Sequence, residues 1–222
     1  MRKILRLMVC AAVAAAMTVA LAGPAHAAPT VQALWDMGNP SVMVDSAGGD
    51  NNGSTRNITS AGSGLYNFNG KSSIATVPDK GNLDPGSATI KLTARVRITA
   101  VPGKGQTFDI VRKGVTTSAG GDYKMEILRS SSGAAVAGCT FKDAKKVSGR
   151  AYGTVNLAGT GFQTITCIKT PTSMQVIAGG QTRTSRKAIG SISNSAPVYV
   201  GGKGDGTDFF PGVMDFVKIE IG

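Results

Sequence analysis

From Ile90 to Ile98 apolar and polar residues alternate strictly, Ile90, Leu92, Ala94, Val96 and Ile98 being separated by Lys91, Thr93, Arg95 and Arg97. A period of two places the first set on one face of a strand and the second on the other. The segment reads as a strand with one buried and one wet face. The C-terminal stretch repeats the pattern, with Val213, Asp215, Val217, Ile219 and Ile221 on one side and Met214, Phe216, Lys218 and Glu220 on the other. Both sides hold apolar residues, which predicts an inner strand. Shorter runs of this kind are Ser73–Val77, Phe108–Arg112, Tyr123–Leu128, Ala134–Phe141, Gly161–Ile168, Ser173–Ala178 and Val198–Val200, separated by Gly, Pro, Asn, Asp and Ser.

Val176-Ile177-Ala178 passes through Gly179-Gly180 into Gln181-Thr182, which suits a two-residue hairpin turn needing positive φ. Past the N-terminal leader, no segment keeps the three-and-four apolar spacing that a helix requires. About ten short strands with frequent turns predict an all-β fold, a sandwich of two antiparallel sheets. Residues 28–222 read as one domain without repeats or linkers, and the turn-rich stretch from Asp45 to Gly64 as a long loop.

The leader changes the picture of charge and compartment. Arg2, Lys3 and Arg6 precede the apolar run Leu7–Ala22, and Ala25-His26-Ala27 offers small residues where a signal peptidase cuts. Residues 1–27 are therefore expected to be an export signal cleaved between Ala27 and Ala28. The run is shorter than the roughly 20 residues that span a bilayer, which argues against an anchor. Removing the leader's three cations lowers the formal net charge of +11 to +8. It also removes the single histidine, His26, and with it Ser-His-Asp hydrolysis, Cys-His proteolysis and His-ligated zinc. Cys10 goes too, leaving Cys139 and Cys167 to pair in an oxidising compartment or to remain as two buried thiols. A bond closing that loop of 28 residues would be worth roughly 3.5 kcal/mol by the chain-entropy argument.

Tyr66-Asn67-Phe68-Asn69-Gly70, Val77-Pro78 and Leu83-Asp84-Pro85-Gly86, followed by Val111-Arg112-Lys113-Gly114 and Asp122-Tyr123-Lys124-Met125-Glu126, occur in a characteristic order. With Val198-Tyr199-Val200-Gly201-Gly202 and the final Phe210-Pro211-Gly212-Val213-Met214-Asp215, that order resembles laminin G-like domains of the concanavalin A-like lectin/glucanase superfamily. The resemblance covers about Leu34 to Gly222 and implies a jelly-roll sandwich. Phe162-Gln163-Thr164 stands where many members carry Trp-His-Thr, and Ala178-Gly179 where they carry Asp-Gly.

Glucan-cleaving members of the superfamily use two carboxylates from a Glu-x-Asp-x-x-Glu strand, since retaining hydrolysis needs acid and nucleophile about 5 to 5.5 Å apart. The only glutamates here, Glu126 and Glu220, lie outside any such motif. Asp122 and Glu126 share a strand face but fall about 13 Å apart. With Lys124 between them, they read as a solvated charge row. No catalysis is expected.

Asp45-Ser46-Ala47-Gly48-Gly49-Asp50-Asn51-Asn52-Gly53 gathers oxygen side chains and resembles the Asp-x-Ser-Gly opening of many members. Structural Ca²⁺, held by Asp45 and Asp215, is one reading of this segment. Turn formation is the other. Lys142, Lys145, Lys146 and Arg150 make one basic cluster and Arg183, Arg186 and Lys187 a second, which would attract acidic polymers or anionic glycans in a salt-dependent way. Such runs also serve simply to solvate a surface. Trp35 is expected in the core.

These residues together read as a secreted, non-catalytic recognition module for carbohydrate or an acidic polymer at the cell surface. The rival readings are a carbohydrate-active enzyme, which would need two close carboxylates in a cleft, and a structural or protein-binding surface protein, which would need an exposed apolar patch.

Overall fold

A computed structural model describes residues 28–222, and the export signal expected over residues 1–27 lies outside the described residues. The chain there forms sixteen strands: β1 (Thr30–Trp35), β2 (Val42–Met43), β3 (Gly53–Arg56), β4 (Thr59–Ser60), β5 (Tyr66–Asn69), β6 (Ile74–Val77), β7 (Ile90–Ile98), β8 (Thr107–Lys113), β9 (Asp122–Arg129), β10 (Ala135–Lys142), β11 (Ser148–Tyr152), β12 (Gln163–Lys169), β13 (Met174–Ala178), β14 (Gln181–Ser185), β15 (Val198–Val200) and β16 (Pro211–Ile221). A single 3₁₀ turn, Gly81–Leu83, is the helical element among the described residues. No helix there is long and apolar enough to cross a membrane.

All ladders are antiparallel. The first sheet runs β14-β13-β12-β7-β16-β5-β4, with β1 also on β16; the second runs β11-β10-β9-β8-β15-β6-β3-β2. The expected class, a two-sheet antiparallel β-sandwich, is what the chain adopts. The strict alternation of residues 90–98 becomes β7, whose Ile90, Leu92, Ala94, Val96 and Ile98 are all buried. From the second sheet Tyr123, Met125 and Ile127 on β9 meet this face in one core. Each buried Val, Leu, Ile or Met among them contributes on the order of 1.5–3 kcal/mol by leaving water. Trp35 is fully buried as expected, its indole N–H donating to the Asn51 carbonyl at 2.7 Å. Gly179 and Gly180 make the β13–β14 turn with φ of 57° and 74°.

The sheet register overturns two expectations. On β16 a bulge between Met214 and Phe216 inserts one residue against β7, so the period of two breaks. Met214, not Asp215, joins Val217 and Ile219 in the core. The stretch Asp45–Gly64 is not one long loop, since β3 and β4 form within it by pairing β6 and β5. Cys139 and Cys167 are bonded, with Cα atoms 5.5 Å apart. They tie β10 of the second sheet to β12 of the first, so the bond staples the sandwich across its layers. Small inward residues (Ala135 and Ala137 on β10, Ala151 on β11) line this side of the core.

Candidate functional site

On β9 the inward Tyr123, Met125 and Ile127 leave Asp122, Lys124 and Glu126 on the outer side of the second sheet. Antiparallel register aligns such outward residues into rows across the strands. One row reads Arg150, Thr140, Lys124, Arg112, Tyr199, Thr76 and Ser54, each paired with the next. It crosses from β11 to β3, about 29 Å at ordinary strand spacing. Four shallow recesses of about 220 to 420 Å³ adjoin along it. Neighbouring recesses share Lys124, then Val115 and Asp205, then Tyr199 and Gly204, so they make one open polar groove.

A tight turn borders the groove's middle. Lys203 N–H donates to the Thr207 carbonyl at 3.0 Å, and the Lys203 ammonium lies 2.6 Å from Asp205. The Lys203 and Thr207 side chains hold the Asp205 carboxyl below its ordinary value. Gly204 sits against the Tyr199 ring so closely that an added Cβ would lie 2.3 Å from the ring's Cζ.

The floor is charged yet buried. Asp109 and Glu126 face each other in register on β8 and β9. Arg112 reaches Asp109 Oδ2 at 2.6 Å, while Lys124 lies 2.5 Å from Glu126 Oε2 and 3.8 Å from Asp109 Oδ1. Thr140 donates to Glu126 Oε1 at 3.1 Å. Asp109 Oδ1 is buried without a hydrogen-bond partner. Burial pushes the Asp109 carboxyl up to about 6; Arg112 and Lys124 oppose the shift, and Glu126 and Asp208 add to it. Asp208 takes the left-handed backbone (φ 55°) and its carbonyl accepts the Asp109 N–H at 2.8 Å.

Several sequence expectations change here. Asp122 and Glu126 do share a face with Lys124 between them, but the row is buried, not solvated. Lys142 is not part of a basic surface: it is 5% exposed, 3.3 Å from Asp122, and donates to the Thr116 carbonyl. Lys145, Lys146, Arg150, Arg183, Arg186 and Lys187 are all exposed.

The two carboxylates considered for calcium have other partners. Asp45 accepts Leu34 N–H at 2.9 Å, Ala47 N–H at 3.0 Å, and Asn51's backbone and amide N–H, both at 3.0 Å. Burial pushes its carboxyl up, but these bonds prevail and hold it below the ordinary value. Asp215, the bulge residue, is ion-paired with Arg95. Among the described residues no three His, Cys, Asp or Glu side chains gather as a metal site. Glu220, near Lys91 and Lys218 at 3.1 and 3.2 Å, stands on the other sheet from Glu126.

Compared by sequence, the chain matches no protein-family model and no curated protein. Compared by structure, it is similar to the receptor-binding domain of botulinum neurotoxin mosaic serotype C/D, with TM-score 0.61 and 12% identity, over 85% of this chain and 46% of that one. A botulinum neurotoxin type C structure, whose cell entry depends on interaction with two ganglioside molecules, gives 0.60 and 9% over 86% and 46%. This chain thus spans about half of those neurotoxin chains. Domain 4 of AbnA, an extracellular arabinanase from Geobacillus stearothermophilus solved with arabinotriose, gives 0.60 and 12% over 87% and 93%. At 12% identity or below, these likenesses show the fold alone, a two-sheet antiparallel β-sandwich.

Proposed function

We propose that the protein is a secreted, non-catalytic, laminin G-like carbohydrate-recognition module that takes a linear glycan in the groove across the outer face of its second sheet. The observation that carries this is the register-matched polar row from Arg150 to Ser54, with Tyr199 next to the central Arg112. Such a row offers donors and acceptors at strand spacing along a shallow open channel, and a tyrosine adds an apolar ring with a polar tip. Domain 4 of the arabinanase, similar over 93% of its length, lends support because it was solved with a trisaccharide.

The Asp109–Glu126 pair brings two carboxylates together, the arrangement a carbohydrate-active enzyme would need. Their oxygens are engaged by neighbours on the same face of the sheet: Arg112 holds one side of Asp109, and Lys124 and Thr140 hold Glu126. The one unpartnered oxygen belongs to Asp109, whose side chain has no exposure, and Glu126, which borders one recess of the groove, has both oxygens engaged by Lys124 and Thr140.

A glycan-array screen of the purified protein, followed by calorimetry on the hits, tests the reading. Binding of a neutral or acidic oligosaccharide that weakens about tenfold with Tyr199→Ala is the expected result. Hits unaffected by Tyr199→Ala and Thr76→Ala would remove the groove from consideration, and release of new reducing ends would favour the enzyme.

A further inference from the structure

From Ala144 through Gly204 the chain contains no Asp or Glu, while of its eight Lys and Arg there six are exposed, Lys145, Lys146, Arg150, Arg183, Arg186 and Lys187. Soluble surfaces commonly intersperse both signs. The fold then gathers these six cations, which lie in two separate stretches of sequence, along one flank of the sandwich.

That gathering has identifiable causes. β11 ends the second sheet and β14 ends the first, and the two edge strands lie against each other across the sandwich. Gly149 of β11 fits over Met174 and Ile189, where a Cβ would meet Met174 Cε at 2.3 Å. Arg183 reaches over from β14 to donate to Thr154 Oγ1 at 3.2 Å. Asp143 clamps the two cationic turns together. Its Oδ1 accepts Lys145 and Val147 N–H and its Oδ2 accepts Gly190 N–H, all at 2.9 Å, just beyond Arg186 and Lys187.

The carboxylate that joins the two stretches is therefore occupied by backbone donors, and none of the six cations forms an ion pair among the described residues. Lys146 also adopts φ of 65°, where glycine or asparagine is at home and a lysine is strained. Edge protection does not account for the charge. The opposite edges, β2 (Val42–Met43) and β4 (Thr59–Ser60), hold no charged residue and are blunted by their shortness.

We infer that this flank, from the Lys145–Lys146 turn over Arg150 to Arg183, Arg186 and Lys187, is a docking ridge for a linear anionic polysaccharide bearing sulfate or carboxylate groups. Arg150 lines the end of the groove as well as the ridge, so a polymer held on the ridge leads into the groove. The choice of a saccharide as the polyanion rests on the groove reading, while the polyanion site itself rests on charge and geometry alone. Guanidinium groups take oxyanions bidentately and ammonium groups as point charges, so a mixed ridge accepts a repeating acid.

Heparin, polygalacturonate, dextran and polyphosphate, each titrated against the purified protein, provide the test. Heparin or polygalacturonate should bind, dextran should not, and affinity should fall steeply from about 0.05 to about 0.3 M ionic strength. Two charge reversals, K145E/K146E and R183E/R186E/K187E, should each weaken binding at least about tenfold without lowering Tm, since exposed charges contribute little to stability. Should a reversal unfold the domain, glutamine at the same positions replaces it, with the same expected direction. The two reversals should leave the groove's binding of a short neutral oligosaccharide within about twofold, so a failed groove, with no neutral oligosaccharide bound, and a failed ridge give different patterns. Binding that survives both reversals, or that ignores salt, overturns the ridge; polyphosphate binding with neither polysaccharide overturns the assignment to a saccharide.

Discussion

Asp109 and Glu126 stand opposite each other on β8 and β9, and the single ammonium of Lys124 lies within reach of both. Burial raises the Asp109 carboxyl from 3.8 to about 6, so the folded state holds its proton more firmly than the unfolded chain does. The associated stability is complete below about pH 4 and is lost as pH rises through about 6. For a shift of about two units the loss is on the order of 3 kcal/mol, reduced by whatever relaxation ionisation permits. Urea unfolding at pH 4, 5, 6 and 7 should show a decline across this window that Asp109→Asn removes, whatever its constant offset. Parallel curves for the two proteins would mean that Asp109 does not titrate there.

The buried ion pair of Lys142 with Asp122 separates two lysine types that look alike in sequence. Lys142→Ala strands a buried carboxylate and should cost about 3 kcal/mol or more. Lys145→Ala and Lys146→Ala, at exposed turn positions, should change stability by no more than about 0.5 kcal/mol, since alanine keeps the Cβ and with it the same backbone strain at Lys146. Equal effects at all three would contradict the burial of Lys142.

Asp45 anchors its turn through N–H donors instead of leaving oxygens for a cation. Its carboxyl is held below the ordinary value, so its contribution is present at neutral pH and lost as pH falls below about 4. Asp45→Ala should cost about 2 kcal/mol by leaving buried donors unpaired. The same loss should appear in calcium and in chelator. A rise in Tm with millimolar Ca²⁺ that Asp45→Ala abolishes would restore the calcium reading.

Layers and strands were legible because burial writes itself into alternation: Ile90 to Ile98 needs no partner to declare its inward face. What alternation cannot encode is which strand lies beside which. Asp109, Arg112, Lys124, Thr140 and Tyr199 each occupy the polar position of a recognisable run, and that was the available signal. Only the order β10-β9-β8-β15 turns them into a row. For the same reason sequence spacing relates Asp122 to Glu126 along one strand, where it keeps them apart, while the carboxylate opposite Glu126 comes from the next strand. The bulge at Asp215 and the burial of Lys142 likewise arise from neighbours that sequence spacing does not name.

The bond between Cys139 and Cys167 joins layers, so its removal should loosen the sandwich along the flank where the edge strands β11 and β14 meet. Replacing both cysteines by alanine should cost roughly 3.5 kcal/mol. Hydrogen exchange should then rise first on β11 and β14, because edge strands have one ladder fewer to hold them. Faster exchange confined to β2 and β4 instead would place the weak flank on the wrong side.

Gly204 offers a way to disturb the groove without touching its floor. Its backbone φ suits any residue, but a side chain there collides with the Tyr199 ring, so Gly204→Val must push the turn or the ring aside. Two residues on, Gly206 has φ of 85° and nothing within 4 Å of an added Cβ. Gly206→Ala therefore strains the same turn, at about 1 kcal/mol, while leaving the ring alone. If the groove takes a glycan over Tyr199, Gly204→Val should weaken binding about tenfold and Gly206→Ala should leave it nearly unchanged, with both proteins similar in Tm. Equal losses would make the turn's general order the determinant, and no loss in either would show that the glycan does not cross Tyr199.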